Sequence, residues 1–340
     1  MIRIKDIADK AGVSPTTVSN VIHGNTKRVS ASTIQKIQDI LQESNYVPSM
    51  AARLLSQSNS NIIGVIIAYT KNKARKVVQD PFISEILGAL EEDIRNRGYF
   101  MMLYAAEETI DIFKLASTWK VAGLIILGFQ EKDCVNLRKQ TDTPFVTVDS
   151  YFEKFKDKFI NVGLSDYDGG YIMGNYLVEN GHTKILFLSD NDLGVDHCRF
   201  AGFQHSLAER NIPCDDRNHV ILERNDDDRK QQLVRLLGTF KKHTALFFAS
   251  DYYAVECINY LQEQGIKVPE DISVVGFDDN IFAETVRPKL TTIRQDVSKK
   301  AEVVMENLSN LMDGCEDKII EKDKKLPVKL VCRDSVKKIN

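Results

Sequence analysis

From residue 61 onward, short apolar runs alternate with longer amphipathic stretches, and this alternation restricts the fold more than any other feature of the chain. Runs such as NIIGVIIAY and VAGLIILG are apolar along their length, which is typical of buried strands. The stretch FISEILGALEEDIRNRG has apolar residues at helical spacing and ends at Gly98. Strands that alternate with helices form βαβ units, so the pattern predicts a parallel sheet in an α/β fold.

The alternation occurs twice, with a break near residues 161–165, which predicts two doubly wound lobes. The first series contains YFMMLYAA and PFVTVDS, and the second contains KILFLSD, ALFFASD and ISVVGFD. Ligands of such sheets bind at the carboxyl ends of the strands, so two facing lobes form a cleft between them. We expect an N-lobe of about residues 61–162 and 293–322 and a C-lobe of about residues 163–292 and 323–340.

Residues 1–46 have a different pattern, which predicts three short helices. Gly12 follows the apolar residues of the first helix, as glycine often does at a helix C-terminus. Ser14 then precedes Pro15, and this is the preferred order of an N-cap and a first helical residue. Ser30 can cap a third helix, whose apolar face consists of Ile34, Ile37, Ile40 and Leu41.

Residues 47–60 predict a hinge helix followed by a linker. Pro48 prevents the third helix from continuing, and Ser49 can cap a short helix from Met50 to about Ser56. The polar stretch SQSNSN marks the boundary to the core. A helix this short is unstable alone in water, so it must fold against something else.

Charge and composition restrict the class of protein. The formal net charge of the 340 residues is −3, yet residues 1–60 contain seven Lys/Arg against four Asp/Glu, so a basic head precedes an acidic body. That division favours a modular DNA-binding protein. The six cysteines form no CxxC pair, and no apolar run reaches the ~20 residues of a membrane helix. We expect a cytoplasmic protein with reduced thiols, no signal peptide and no membrane partner.

Sequence motifs of enzymes are missing. There is no GxxxxGK[ST], GxGxxG, GxSxG or HExxH, and the six histidines have no metal-ligand spacing. His182 in NGHTK is interpreted as a helix-end or turn residue, and the acidic run at residues 225–228 as a solvated loop. We therefore expect no enzyme activity, no catalytic residues, no metal and no cofactor.

The N-terminal stretch IKDIADKAGVSPTTVSNVIHGN, with VSASTIQKIQDILQESNYVPSMAARLL after it, closely resembles the head of the lactose-repressor (LacI/GalR) family of bacterial transcription regulators. The resemblance continues through GGYIMGNYLVENGHTKILFLSD, RFAGF, ALFFASDYYAVECINYLQEQGIKVPEDISVVGFDD and PKLTTIRQD to LPVKLVCRDS, and so covers the whole chain. It implies an all-α helix-turn-helix head, a hinge helix and a two-lobed core similar to periplasmic sugar-binding proteins. The implied function is that of a homodimeric repressor of palindromic operator DNA.

The resemblance also assigns residues that contact DNA. In a helix-turn-helix the second helix enters the major groove, and the matching positions here are Pro15, Thr16 and Asn20 for bases, with Ser14 and Thr17 for phosphates. Asn can pair with adenine, whereas Pro15 has no side-chain donor and departs from the longer polar residues that are common there. In the hinge helix, Leu55 matches the residue that wedges into the minor groove, Ala52 the one that packs on the partner helix, and Arg53 a phosphate contact.

The cleft residues that the resemblance implies combine carboxylates, amides and a guanidinium, which is typical of carbohydrate sites: they are Phe82, Ile83, Asp149, Arg199, Ser250, Asp278 and Gln295. At Ser250 many sugar-responsive members have Asn. A simpler interpretation is that Asp149 and Asp278 are N-caps or salt-bridge partners of Arg199. A purine effector stays open as the alternative, because the aromatic residues Tyr69, Tyr151 and Phe277 could stack on a base.

Two other classes of protein are weaker hypotheses. A pure solute-binding protein would not need the head, and an enzyme that uses the cleft carboxylates would need a nucleophile or a metal beside them. The C-terminal CRDSVKKIN contains no heptad repeat, so the pattern predicts a dimer rather than a tetramer. Neither the effector nor the sign of its effect on DNA binding follows from these residues.

Overall fold

The computed structural model describes residues 2–22, 25–44, 46, 60–68, 77–152, 154 and 158–339. The chain divides into two compact units, Met1–Ser58 and Asn59–Asn340. The predicted hinge residues Ala52, Arg53 and Leu55 lie outside the described residues, as does Tyr69. None of the described helices combines the length and the apolar character that crossing a membrane requires.

The first unit contains three helices within its described residues: α1 (Ile4–Ala11), α2 (Pro15–Ile22) and α3 (Ala31–Glu43). Their apolar faces form one small core of Ile7, Ala8, Ala11, Val18, Val21 and Ile37. Gly12 takes a left-handed conformation with φ 71° and ends α1, as its position after the apolar run predicts. The all-α head is therefore confirmed.

The first sheet of the second unit has six parallel strands. They are β1 (Ile62–Ala68), β2 (Phe100–Ala106), β3 (Gly123–Leu127), β4 (Phe145–Val148), β5 (Asn161–Leu164) and β11 (Asp323–Leu326), in the order β11-β5-β4-β3-β1-β2. This lobe also contains α4 (Pro81–Asn96), α5 (Thr109–Trp119), α6 (Glu131–Gln140) and α12 (Val297–Met312), with 3-10 turns at Val77–Gln79 and Glu316–Lys318.

The second sheet repeats this arrangement with four parallel strands. They are β6 (Ile185–Ser189), β7 (His219–Ile221), β8 (Ala245–Phe248) and β9 (Ser273–Val275), in the order β7-β6-β8-β9. Around it lie α7 (Asp166–Glu179), α8 (Gly194–Ala208), α9 (Asp226–Phe240), α10 (Asp251–Glu263) and α11 (Ile281–Thr285), with a 3-10 turn at Asp216–Asn218. An antiparallel pair, β10 (Thr292–Gln295) and β12 (Val328–Val331), continues from β9 through bridges. The two-lobed α/β fold with parallel sheets is confirmed.

The chain crosses between the lobes at three places: after Leu164, after Gln295 and after Leu326. These positions lie two to four residues beyond the approximate limits 162, 293 and 322 that the sequence pattern predicts. The cause is strand pairing, because β5 and β11 pair along their whole length in the first sheet, and β10 stays beside β9.

The acidic run at residues 225–228 is not a loop, which corrects the interpretation from sequence. The Asn225 side chain accepts hydrogen bonds from the backbone N–H of Asp227 and Asp228, and the three aspartates form the first turn of α9. Acidic residues at a helix N-terminus interact favourably with the helix dipole, so the run serves as a helix start.

Candidate functional site

The second helix of the head presents a polar face. Ser14 Oγ accepts a hydrogen bond of 3.1 Å from the backbone N–H of Thr17, and the two hydroxyl oxygens lie 2.9 Å apart. Ser14 therefore caps this helix, as its position before Pro15 predicts. Thr16 is exposed and Asn20 half-buried, and their spacing of four residues places them on one face of the helix.

In the second unit, the predicted effector residues follow the carboxyl ends of strands. Asp149 comes directly after β4, Ser250 soon after β8, and Asp278 after β9, while Gln295 is the last residue of β10. Asp149 and Asp278 have positive φ angles of 51° and 119°, which residues other than glycine rarely adopt. The carboxyl ends of strands from both lobes thus place these polar groups near the segments where the chain crosses between the lobes.

A buried lysine that the sequence interpretation missed joins these residues. Lys300 Nζ donates hydrogen bonds to both carboxylate oxygens of Asp149, at 2.9 and 2.8 Å, and to Gln295 Oε1 at 3.0 Å. Gln295 Nε2 donates to Asp278 Oδ1 at 2.8 Å, and Ser250 Oγ donates to Asp278 Oδ2 at 3.1 Å. The result is a continuous hydrogen-bonded chain from the N-lobe to the C-lobe.

Arg199 forms a second buried group of contacts. Its Nε donates to Asp166 Oδ1 at 2.8 Å, one of its terminal nitrogens donates to the Ala249 carbonyl at 2.6 Å, and its guanidinium carbon lies 3.6 Å from the ring centroid of Phe277. Tyr151 completes the group by donating its hydroxyl to Asp166 Oδ2 at 2.6 Å. The direct ion-pair partner of Arg199 is therefore Asp166, while Asp149 pairs with Lys300.

Phe82 and Ile83 lie in the first turn of α4. Asp80 caps this helix, because its Oδ1 accepts a hydrogen bond of 3.1 Å from the Ile83 N–H. Both apolar side chains pack against the core, and the Lys300 ammonium lies 5.0 Å from the Phe82 ring centroid. The two residues therefore stand beside the hydrogen-bonded chain, on its N-lobe side.

Close packing of two helices holds Arg199 in position. A methyl group at Gly170 of α7 would lie 1.9 Å from the carbonyl oxygen of Arg199, and one at Gly202 of α8 would lie 1.9 Å from the carbonyl oxygen of Tyr167. Such an approach of two helix backbones is possible only without a Cβ atom. The glycines thereby place Asp166, the first residue of α7, beside Arg199 of α8.

Two buried carboxyl groups of the site have pKa values shifted toward the neutral form, those of Asp278 and Asp196. Burial raises the pKa of Asp278 to about 7, with Arg199 opposing the shift and Asp80 adding to it. Burial likewise raises the pKa of Asp196 to about 8, against the effect of Arg199. For Arg199, burial lowers the pKa, but Asp166 and the other carboxylates outweigh it, so the net shift is upward and the group stays charged.

Three residues of the site escaped the sequence interpretation: Lys300, Asp166 and Asp196. Two of them could have been found. Asp196 precedes Arg199 by three residues and therefore shares its helix face, and Lys300 interrupts the buried stripe of Val297, Ala301, Val304 and Leu308. Asp166 had no such signal, because only the close helix pair brings it to Arg199.

Each of the two units contains a region that matches a known protein family. Residues 3–49 match the family described as bacterial regulatory proteins, lacI family, and residues 175–336 match a periplasmic binding protein-like domain. The chain is 33% identical over 352 residues to the HTH-type transcriptional repressor PurR of Vibrio parahaemolyticus, covering 100% of each protein.

Two solved structures extend this similarity to the fold. The lac repressor dimer bound to operator and the anti-inducer ONPF has a TM-score of 0.83 at 26% identity, and 99% of each chain is covered. A LacI family transcriptional regulator from Enterococcus faecium with bound ribose has a TM-score of 0.69 at 25% identity, covering 82% of this chain and 100% of that one.

Proposed function

Because this chain belongs to the lacI family of bacterial regulatory proteins and is a helix-turn-helix transcriptional regulator, we propose that a carbohydrate bound between its two lobes controls its affinity for a palindromic operator. The observation that carries this proposal is the chain of hydrogen bonds Asp149–Lys300–Gln295–Asp278–Ser250, which spans both lobes. An effector that bonds to Asp149 and Asp278 alters this chain and so shifts the equilibrium between lobe arrangements, by as much as its affinities for the two arrangements differ.

The kind of polar group in the cleft favours a carbohydrate over a purine. Carboxylates, an amide and a guanidinium match ligand hydroxyls, which both donate and accept hydrogen bonds. A purine needs open aromatic faces, but Phe277 is fully buried and has the Arg199 guanidinium on its ring, and the Lys325 ammonium lies 4.8 Å from the ring centroid of Tyr151. The ribose bound to the Enterococcus faecium relative supports the same choice.

For DNA recognition we assign direct base contacts to Thr16 and Asn20. Both stand on the outer face of α2, where Asn20 can pair with adenine and the Thr16 methyl can contact a thymine. Pro15 contributes only apolar contact. The hydroxyl groups of Ser14 and Thr17 form one hydrogen bond with each other, which uses one of their two protons, so the other proton can be donated to a phosphate.

In the hinge, we assign a minor-groove wedge to Leu55, with Ala52 at the partner helix and Arg53 on a phosphate. A wedge contributes to operator binding and not to effector binding. Leu55→Ala should therefore weaken operator binding in a gel shift far more than effector binding in a thermal-shift assay, and equal losses in both would contradict the assignment.

The proposed palindromic operator favours a homodimer, and so does apolar surface that is exposed in the single chain. β2 is the edge strand of the first sheet, and its side chains Phe100, Leu103 and Tyr104 are exposed, Phe100 at 59%. On the second lobe, Ile281 and Phe282 at the start of α11 are also exposed. Among the described strands, none pairs with the outer edge of β2; an apolar edge of this kind is a site for association, and we propose that a second copy covers it.

A gel shift with the full chain tests the DNA-binding part. A palindromic duplex with a central CG step is compared with a duplex of the same composition in scrambled order. We expect tighter binding to the palindrome, and equal binding to both duplexes would refute sequence-specific recognition.

Thermal shift tests the effector class, since a ligand of the folded state raises the melting temperature. Sugars, sugar phosphates and purines are compared at equal concentration. A rise with a sugar supports the carbohydrate proposal, whereas a rise with a purine and with no sugar would replace it by the purine alternative.

A further inference from the structure

The charges in the cleft are not balanced. Lys300 pairs with Asp149, Arg199 with Asp166, and Arg224 with Asp190 at 3.3 Å. Asp196 and Asp278 take part in no ion pair with any described residue, although each is only 8% exposed. A buried carboxylate without a cation is costly, because burial removes it from water without an opposite charge in exchange.

Only one of the two carboxylate oxygens of Asp196 accepts a hydrogen bond from a described residue. Its Oδ2 accepts a hydrogen bond of 2.8 Å from Asn191 Nδ2, while its Oδ1 accepts none from the part of the chain that the structure describes. It precedes Arg199 by one helical turn on α8, so it stands on the same helix face as the central cation of the cleft. One carboxylate oxygen is thus left for a donor from outside the chain.

Other carboxylates lie near enough to Asp196 and Asp278 to raise their pKa values. Asp278 and Asp190 both act electrostatically on Asp196, and Asp80 acts on Asp278 and on Tyr253. Asp80 belongs to the N-lobe and Asp278 to the C-lobe, so negative charge approaches from both sides. Asp80 thus adds negative charge near Asp278, and Asp278 near Asp196, and none of the three forms an ion pair with another described residue.

We propose that the effector is an amino sugar, whose ammonium group binds to the Asp196 and Asp278 carboxylates while its hydroxyls bind to Arg199 and Asp149. This proposal rests on the proposed carbohydrate response and specifies its charge. A protonated amine supplies three N–H donors, which suit Asp196 Oδ1 and the remaining lone pairs of Asp278. Its positive charge adds to that of Arg199, which acts on three carboxylates at once, those of Asp166, Asp196 and Asp278.

Without the ligand, protons perform this compensation. The raised pKa values of Asp278, about 7, and of Asp196, about 8, mean that both groups are partly protonated near neutral pH. Binding of an ammonium group favours the ionised carboxylates, so each protonated carboxyl group releases its proton to the solvent as the N–H to O hydrogen bonds form. A neutral sugar does not drive this release.

The experiment compares sugars in which an ammonium group replaces one hydroxyl, with the full chain at pH 6.5, where the amine is already protonated before it binds and any net proton release comes from the protein. The pairs are D-glucosamine with D-glucose and D-galactosamine with D-galactose, and N-acetyl-D-glucosamine serves as a neutral compound of larger volume. Affinities come from calorimetry in two buffers of different ionisation enthalpy, which also reports the protons released. We expect one amine to bind at least tenfold more tightly than its neutral partner, with proton release.

Asp196→Asn keeps the shape of the side chain and removes its charge. We expect this variant to lose most of the preference for the amine and the associated proton release. The matched control is Asp227→Asn on the surface of α9, whose carboxylate is 88% exposed, and it should keep both properties.

The outcomes separate this proposal from the one on which it rests. Equal affinity for amine and neutral sugar, or retention of the preference in Asp196→Asn, refutes the amino-sugar proposal and leaves the carbohydrate response intact. Binding of a purine with no response to any sugar refutes both. If no amine of the panel binds, the amino-sugar proposal fails.

Discussion

Lys300 Nζ lies 2.8 and 2.9 Å from the two carboxylate oxygens of Asp149, and the lysine side chain is fully buried although its helix begins at the lobe surface. The two residues are 151 positions apart in the chain. Lys300 also fixes the orientation of Gln295, because its ammonium group can only donate, so the Gln295 carbonyl oxygen must face it and the amide nitrogen must face Asp278.

Removing this cation should destabilise the second unit. Lys300→Met leaves Asp149 with its charge and without a partner, and we expect a loss of about 3 kcal/mol in the free energy of unfolding, measured by urea denaturation. The double variant Lys300→Met/Asp149→Asn should recover part of this loss, since asparagine carries no charge and tolerates the positive φ. Additive losses would show that the pair contributes little as a pair.

The close approach of α7 and α8 gives a second prediction. Gly170→Ala places a methyl group against the Arg199 carbonyl and should destabilise the core by about 1–3 kcal/mol, because backbone has to move. Gly238 of α9 is the control, since a methyl group there meets nothing within 4 Å. Gly238→Ala should stabilise the helix by roughly 0.5–1 kcal/mol. Chemical denaturation of both variants decides the matter, and equal effects would contradict the packing argument.

The Asp196 carboxyl predicts a dependence of stability on pH. Its pKa is raised to about 8 in the folded chain, whereas an unfolded aspartate ionises near 4. The stability that it contributes is therefore complete below about pH 4 and is lost as the pH rises through about 8. Relative to the native chain, Asp196→Asn should become more stable between pH 5 and pH 8 by more than about 1 kcal/mol, measured by denaturation at several pH values. A constant difference would contradict the raised pKa.

In the head, Ser14 and Asn20 should have separable effects. Ser14→Ala removes the N-cap of α2 and should cost about 1 kcal/mol of stability in the first unit. Asn20→Ala leaves the cap intact and should weaken operator binding by about 1–3 kcal/mol while relaxing the preference at one base pair. Thermal unfolding and gel shifts with single-base operator variants measure the two effects, and a loss of stability in Asn20→Ala would indicate a structural role instead.

The order of elements was predictable because it depends on local patterns. Buried strands appear as apolar runs, and the Ser14-Pro15 pair marks a helix start, which the structure bears out. The central contacts of the cleft were not predictable in this way. The partner of Asp149 comes from a helix that the chain reaches only after its second crossing, and Phe277, considered as a stacking surface, is covered by Arg199.

The N-lobe is joined to the C-lobe at three crossings, and we expect it to rotate about them. Gln295 lies directly before one crossing, so a ligand that moves it acts close to the pivot. β1 runs from Ile62 to Ala68, so its amino end, where the chain arrives from the first unit, is about 20 Å from its carboxyl end. Any rotation of the N-lobe about the crossings therefore displaces the amino end of β1 further than the residues beside the pivot, and we expect small changes in the hydrogen bonds of Gln295 to be amplified at that end.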